Sequence, residues 1–548
     1  MLVGCALLAV ACIWFWTLDA RHLLRPDEGR YAEIAREMFA SGDWVTVRYN
    51  GLKYFEKPPF HLWMTALAYH AFGVGEWQAR LWVGLSGAIG LLMTMLAARR
   101  WFGARAGWLA GLVLLATPAW NLGSHFNSLD MGVSGALACM LAAVLLAQHP
   151  QATVQARRRW MWLAWVVMGV AVLTKGLIGV VLPGLVLVLY TLLARDWALW
   201  RRLYLVSGGL WMLLITVPWF VLVSQRNPEF AQFFFIHEHW ERYTSSVHQR
   251  GAPVWYFVPQ LLVGFFPWLG LLPRMVGVVQ PSEPGFRPAL LLWVWVAVIF
   301  AFFSLSSSKL PGYILPVYPA LAILAALALD KLDARVWSRQ VLCILALTLV
   351  GLAASPLVGR MASEGTPNAL YRAYAWWVAV ACLLATVGLG MAWYLNRKGQ
   401  LWRSMGAFSL ALFAATTVAL VGHETLGRSA SGVALVGPVQ AILTPDMPIY
   451  SVRMLDHTLP FYLRRTMIMV ESPNLETHNE LAFGTEQEPD KWLPSIAAFV
   501  QAWSAGRPAL AIMSSQTYSL LRSQQLPMTL IAQDARRVVV ANFSKASP

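Results

Sequence analysis

Apolar residues come along this chain in blocks of about 15–22, the length that crosses a hydrocarbon core as a helix. Such blocks lie near residues 2–17, 81–98, 106–121, 131–148, 160–174, 177–194, 203–223, 255–272, 288–304, 313–330, 338–356, 373–395 and 404–422. They predict about thirteen membrane-spanning helices. Residues 60–74 are apolar too, but short and bracketed by Pro58, Pro59, Gly73 and Gly75, and read as an interfacial or re-entrant helix. After residue 422 the pattern changes. MPIYSV, TMIMVE, PALAIM, MTLIAQ and RRVVVANF read as strands, with helices near 456–464, in DKWLPSIAAFVQAW and in SQTYSLLRSQQ. The predicted architecture is a polytopic α-helical membrane domain over 1–422, followed by a small soluble α/β domain over 423–548.

Composition agrees with a membrane protein. Of 548 residues, 58% are hydrophobic and 13% charged, with a mean hydropathy of +0.54. A soluble chain carries about 25% charged residues. The 28 Trp suit anchoring at the headgroup level. The net charge of +15 comes largely from Arg clusters in every second loop: Arg99/Arg100/Arg105, Arg157/Arg158/Arg159, Arg195/Arg201/Arg202, Arg274/Arg287, Lys331/Arg335/Arg339 and Arg397/Lys398/Arg403. Cationic loops stay in the cytoplasm, so no nucleic-acid partner is needed to explain the charge. The same rule puts the N-terminus inside, and loops 18–80 and 224–254 and the C-terminal domain outside. The first apolar block lacks a basic leader and a small-residue cleavage site, and reads as a retained helix. Cys5, Cys12, Cys139, Cys343 and Cys382 all lie in apolar blocks without CxxC spacing, which predicts neither a disulfide nor a cysteine-bound metal.

The outward loops carry the candidate chemistry: Asp27/Glu28, Glu56/Lys57, Lys175 in LTKGL, His237/Glu238/His239 with Glu241/Arg242, and Lys309 in SSSKLPGY. Lys175 and Lys309 stand in loops with no other charge. A cation at the edge of the hydrocarbon is costly unless paired, and a lipid phosphate is the natural partner. Each residue also has a plainer reading. Asp27 or Glu28 suits a helix start after Pro26. As neighbours on a helix the two point different ways, so one of them faces a site. Lys175 suits a snorkelling lysine, Lys57 a solvated loop, and the 237–241 cluster an interfacial loop. His237 and His239 lack the i,i+4 spacing of a helical metal site, so a divalent cation there takes a further ligand such as Glu56.

The stretch RPDEGRYAEIAREMFASGDWVTVRYNGLKYFEKPPFHLW (25–63) resembles the start of the bacterial aminoarabinose transferases, membrane glycosyltransferases of the GT-C type akin to the protein O-mannosyltransferases. LTKGLIG, EHWERY and SSSKLPGYILP fit the same family, so the likeness spans roughly residues 1–422. The resemblance implies transfer of 4-amino-4-deoxy-L-arabinose from undecaprenyl phosphate to a lipid A phosphate. This occurs on the periplasmic side of the bacterial inner membrane, lowers surface negative charge and gives resistance to polymyxin. It matches the family's acidic residue of the first periplasmic loop to Asp27 and its second-motif pair to Glu56 and Lys57. Its phosphate-binding residues match Lys175 and Arg242, with Lys309 and Tyr313 nearby, and Glu28 is kept with the substrate-binding set.

Lys57, Lys175, Arg242 and Lys309 would stabilise the charge that grows on a departing lipid phosphate where water is excluded. A phosphate monoester acceptor, with a second pKa near ~6, is largely ionised already. Asp27 therefore serves as base, as orienter of the acceptor or as partner to oxocarbenium-like charge, and Glu56 offers a contact for the sugar ammonium. The expected course is a single displacement with inversion. No cofactor is required by this reading, with a divalent metal as an option, and a monomer is expected. Two alternatives remain: the same fold with another sugar or acceptor, and a lipid or sugar transporter. Against the transporter, no inverted repeat of interrupted helices is visible.

Overall fold

The computed structural model describes residues 2–241, 252–278, 285–363, 365–471, 481 and 483–544. Every apolar block read from the sequence falls on a helix, although not every such helix is long enough to cross a membrane. Among the described residues eight helices are long and apolar enough, and a ninth results if the bent pair Val254–Gly264 and Trp268–Val276, at 102°, is one span. The Leu2–Trp16 and Ile178–Ala194 helices are shorter. Glu76–Leu115 carries two of the expected spans, which meet at Gly103. Its φ of 92° lies where side chains other than glycine are strained, so the chain breaks direction there.

Two helices form the centre of the membrane domain. Leu129–Gln148 is 94% buried and Pro311–Asp330 is 89% buried over their apolar windows, whereas Ala334–Val358 and Asn368–Arg397 face outward at 17% and 22%. Small residues sit at the contacts of the two central helices. Gly132, Gly135, Ala136 and Ala138 on one helix, and the alanines from Ala320 to Ala328 on the other, let neighbouring backbones approach closely. Both central helices start on the side that carries the polar loops. The Phe60–Phe72 helix, 13 residues long between Pro59 and Gly73, is too short to span.

On that side the chain leaves the first helix and forms the amphipathic Asp27–Ser41 helix, then a small hairpin of β1 (Arg48–Tyr49) and β2 (Leu52–Lys53). Asn50 and Gly51, with φ of 53° and 79°, make its tight turn, the residue pair such hairpins favour. The Glu37 carboxylate, buried inside the Asp27–Ser41 helix packing, accepts the turn's N–H groups from Asn50 at 2.5 Å and Gly51 at 2.8 Å.

The C-terminal region is a five-stranded sheet of β3 (Ile449–Val452), β4 (Ile468–Val470), β5 (Leu510–Met513), β6 (Thr529–Gln533) and β7 (Val538–Ala541), in the order β4-β3-β5-β7-β6. The first three strands pair in parallel and the last two add antiparallel. Successive side chains alternate between faces. Ile449, Leu510, Ile512 and Val539 pack with Leu435 and Leu459 on one face, and Val452, Ala511, Met513 and Val540 with Phe499 and Trp503 on the other. Both faces are covered, so the central strands read as continuous apolar runs. The helix expected from Asp490 onward begins only at Ile496, after Pro494, with Ser495 as its N-cap. Arg537, just before β7, is buried and pairs with Asp456 and, at 3.0 Å, with Asp534, and donates to the Ala430 carbonyl at 2.7 Å. This fastens the sheet to the Glu424–Ser431 helix that leads out of the membrane domain.

Burial, and after it the neighbouring Glu33, pushes the Glu37 carboxyl up to about 8 from an ordinary 4.5. The folded chain therefore holds a proton there that the unfolded chain releases. The contribution is full below about 4.5 and is lost as pH rises through about 8. The thermal unfolding midpoint of the detergent-solubilised protein should thus fall across that window, and fall less steeply in Glu37→Gln. Parallel pH profiles for the two proteins would remove Glu37 as the cause.

Candidate active site

Asp27 and Glu28 open the same helix and diverge at once. The Asp27 carboxylate is 31% exposed and lies 3.5 Å from Arg30 one turn on, whereas Glu28 has no exposed surface. A helical step of about 100° turns adjacent side chains to different faces. Glu28 accepts from Arg80 Nε at 2.7 Å and Nη2 at 3.1 Å, from the backbone N–H of Asn127 at 3.0 Å and from that of Leu24 at 3.1 Å, with Arg21 at 3.6 Å. Burial works against its charge, and Arg80 and Arg21 outweigh burial, so the carboxyl lies below the usual range. Both of its oxygens are spent inside the protein. The expectation that Glu28 binds substrate is corrected: it fastens the loops that carry the site, and neither acid is a side-chain cap of the helix.

The Glu28 fastening extends inward. Asn127 also holds the His61 Nε2 at 2.9 Å, and the His61 ring meets Tyr31 edge-on at 5.7 Å. Tyr31, on the Asp27–Ser41 helix, senses the charges of the site. Burial and then Asp27 push its phenol well above the usual value, with Glu56 and Asp130 adding to the rise and Arg30 opposing it. Acids from three separate stretches of sequence are thereby within electrostatic reach of one ring. Glu56 accepts from the Tyr54 hydroxyl at 3.2 Å, and Lys57 Nζ turns back to the Glu56 carbonyl at 2.8 Å.

Lys175 ends the Val154–Lys175 helix, and Asp130 lies in the first turn of Leu129–Gln148. A cation at a helix C-terminus and an anion at a helix N-terminus both match the local dipole. The two side chains form an ion pair, and Lys175 Nζ sits over the Tyr313 ring at 4.2 Å. Gly312 permits this approach, since a Cβ there would stand 2.6 Å from Asp130 Oδ2. Lys175 therefore has a protein partner where the sequence suggested only a lipid phosphate. Lys309 is buried in the same loop as Tyr313 and donates to the Ser306 carbonyl at 2.5 Å. Among the described residues, Trp82 Nε1, beside Gly132 and Thr174, is buried without a partner. Arg242 lies outside the described residues, as do the side chains of His237 and His239, so the optional metal set with Glu56 is not described. Among the described residues no three His, Cys, Asp or Glu side chains gather as a metal-binding group.

Asp130 escaped the sequence reading because SLDMG runs straight into an apolar block. The signal was an acid at the outward end of a span, on the side where Lys175 stands. Arg21 and Arg80 escaped for a similar reason, each a charge at the edge of an apolar segment.

Comparison with known proteins shows the family. The model of the aminoarabinose transferase C-terminal domain matches residues 435–542, and that of dolichyl-phosphate-mannose-protein mannosyltransferase matches residues 56–221. The crystal structure of ArnT from Cupriavidus metallidurans bound to undecaprenyl phosphate is 53% identical, superposes with a TM-score of 0.95, and is matched over 100% of this chain and 99% of that one. The chain belongs to the aminoarabinose transferases. Its fold is therefore the GT-C type of that family, a membrane glycosyltransferase core with a C-terminal α/β domain. The apo structure from the same organism gives a TM-score of 0.93. Among curated relatives, the undecaprenyl phosphate-alpha-4-amino-4-deoxy-L-arabinose arabinosyl transferase of Erwinia tasmaniensis is 34% identical over 317 residues, 56% of each chain. That of Pseudomonas aeruginosa is 36% identical over 335 residues, 59% of each. These alignments span less than two thirds of the curated relatives' length.

Removing one partner of a buried, hydrogen-bonded charge pair costs about 3–5 kcal/mol. Arg80→Met should lower the unfolding free energy by an amount on that order, and with it the midpoint in denaturant, because Glu28 is left charged and buried. Asp27→Asn, at a partly exposed carboxylate, should leave the midpoint nearly unchanged. Equal midpoints for the two variants would contradict the division of labour between Asp27 and Glu28.

Proposed function

We propose that this transferase moves 4-amino-4-deoxy-L-arabinose from undecaprenyl phosphate to a phosphate of lipid A, at the periplasmic face of the bacterial inner membrane. The observation that carries the reading is the end-to-end likeness to a transferase solved with undecaprenyl phosphate, over a chain whose Lys175, Asp130 and Tyr313 converge from separate helices. On this reading the N-terminus is cytoplasmic, the C-terminal domain periplasmic, and the protein works as a monomer. Aminoarabinose-capped lipid A is less anionic, which lowers attraction for polymyxin and other cationic peptides.

The chemistry follows from where the charges lie. The lipid phosphate leaves as the glycosidic bond breaks, and Lys175, with Lys57 and Arg242, meets the charge that develops on it. Asp130 holds the Lys175 ammonium at a defined place before the phosphate arrives, so little reorganisation is needed at the moment of reaction. The Tyr313 face offers the same cation a second, weaker partner. Asp27 faces the acceptor, which is already mostly ionised. It orients that phosphate, takes its residual proton or stands against positive charge on the sugar ring. Glu56 provides an anionic contact for the sugar ammonium. The acceptor oxygen attacks the anomeric carbon as the donor phosphate departs, so one displacement inverts that centre. A divalent cation at Glu56 remains compatible with this scheme, and no step depends on it.

The match of residues 56–221 to a mannosyltransferase model makes the same fold with another sugar or acceptor the reading to separate from this one. Lipid A is analysed by mass spectrometry from cells that lack their own transferase and express either the wild type or Asp27→Asn at equal membrane levels. The wild type should add the aminoarabinose mass, and the Asn form should add less than about one hundredth as much, the general size of a lost acid–base contribution. If the wild type adds nothing, the sugar or acceptor is wrong. If both add it equally, Asp27 is not the catalytic carboxylate.

A further inference from the structure

The β1–β2 hairpin is held from both ends of the molecule, and Lys53 is where the holds meet. From the C-terminal domain, the Glu488 carboxylate accepts from Arg48 Nη1 at 2.8 and 3.0 Å, from the backbone N–H of Lys53 at 2.9 Å and from Lys491 Nζ at 2.7 Å. Around the turn, the Asn50 side chain donates to the Met467 carbonyl at 2.8 Å and accepts from the Met467 N–H at 2.7 Å, and the Tyr49 hydroxyl meets His457 Nδ1 at 2.8 Å. From the membrane domain, Glu229 pairs with Lys53 Nζ at 2.7 Å. Just before the hairpin, Asn227 donates to Thr46 Oγ1 at 3.1 Å and Trp219 Nε1 to the Val45 carbonyl at 3.1 Å.

The residues just beyond the hairpin give these holds their meaning. Tyr54, the next residue after Lys53, is buried, ties its N–H to the Val47 carbonyl at 2.9 Å, and donates its hydroxyl to Glu56 at 3.2 Å. A shift of the Lys53 backbone therefore passes through one buried ring to the Glu56 carboxylate and its neighbour Lys57. A hairpin with two residues in each strand is too short to keep a fixed position by itself. Its place comes from its partners, and the Glu488 carboxylate is the one that grips both strands at once.

We propose that Glu488 of the C-terminal domain is a positioning residue for transfer: through Arg48 and the Lys53 backbone, with Glu229 as the opposing hold on the Lys53 ammonium, it sets the placement of Glu56 and Lys57 against the substrates. This rests on the transfer reading above and gives the C-terminal domain a part in it. Displacement of about an ångström at a reacting centre costs on the order of a hundredfold in rate, so a partial loosening of this hold has a measurable effect without unfolding the chain.

The test uses the full-length protein in lipid nanodiscs with undecaprenyl-phosphate-linked aminoarabinose and lipid A. Glu488→Gln should lower kcat on the order of tenfold, with KM for both lipids within about twofold. Lys53→Glu should lower kcat as well, and the swap Lys53→Glu with Glu229→Lys should recover most of it, since the opposing hold is rebuilt with reversed charges. Arg453→Gln breaks an ion pair of 2.7 Å inside the same domain, to Glu471, and should leave kcat unchanged. A second readout needs no turnover: carbodiimide labelling of Glu56, followed by peptide mass spectrometry, should rise several-fold in Glu488→Gln and stay level in Arg453→Gln. Unchanged kcat and labelling in Glu488→Gln, or equal losses in the two variants, would overturn the proposal. A wild type without turnover counts against the transfer reading alone, because the labelling still decides the placement of Glu56.

Discussion

A carboxylate with no exposed surface holds the outward face of this protein together. Glu28 binds the Arg80 guanidinium, the backbone of Asn127 and the backbone of Leu24. Those groups belong to the helix after the first loop, to the turn before the central Leu129–Gln148 helix, and to the exit from the first helix. Arg80 in turn donates to the carbonyls of Leu18, Arg21 and His22. These loops bury an apolar cluster of their own, with Tyr31, Ile34, Met38, Tyr49 and Tyr54, and the network of charge-assisted hydrogen bonds adds fixed directions to that packing. Its cost is desolvation, which Glu28 and Arg80 offset with several partners each.

The fixed frame lets Asp27, one residue earlier, stay accessible. It also sets the angle of the Asp27–Ser41 helix, whose far end presents Glu37 to the hairpin turn. The C-terminal sheet closes over this assembly. The His22 N–H and ring contact Glu424 at 2.8 and 2.5 Å, and the Tyr462 hydroxyl accepts from the Leu23 N–H at 2.8 Å. The soluble domain is thus built onto the loop that carries the acids and the lysine of the site.

Charges in the membrane domain follow a second constraint. A cation near the hydrocarbon needs a counter-charge, and the ends of helices offer favourable dipole potential for both signs. Lys175 and Asp130 meet at such ends, with Tyr313 brought in by a loop that only glycine at position 312 lets close. The arrangement keeps the Lys175 ammonium paired at the edge of the hydrocarbon.

Hydropathy alone determined the helical membrane domain, because apolar length is what a bilayer selects, and the central strands of the C-terminal domain, because strands buried on both faces read as short continuous apolar runs. The motif-bearing stretch 25–63 carried the family and the candidate acids. Tertiary structure alone decided which acid stays accessible. Asp27 and Glu28 are equivalent as letters, and the turn of the helix sends one to the surface and the other into a cage of arginines. It also decided the partners of Lys175 and Lys53. Asp130 and Glu229 stand 45 and 176 positions from them along the chain, and no local pattern records a pairing formed only when separate helices pack. Hydropathy likewise could not distinguish a straight span from the pair bent by 102° near Pro267, since both expose the same apolar length.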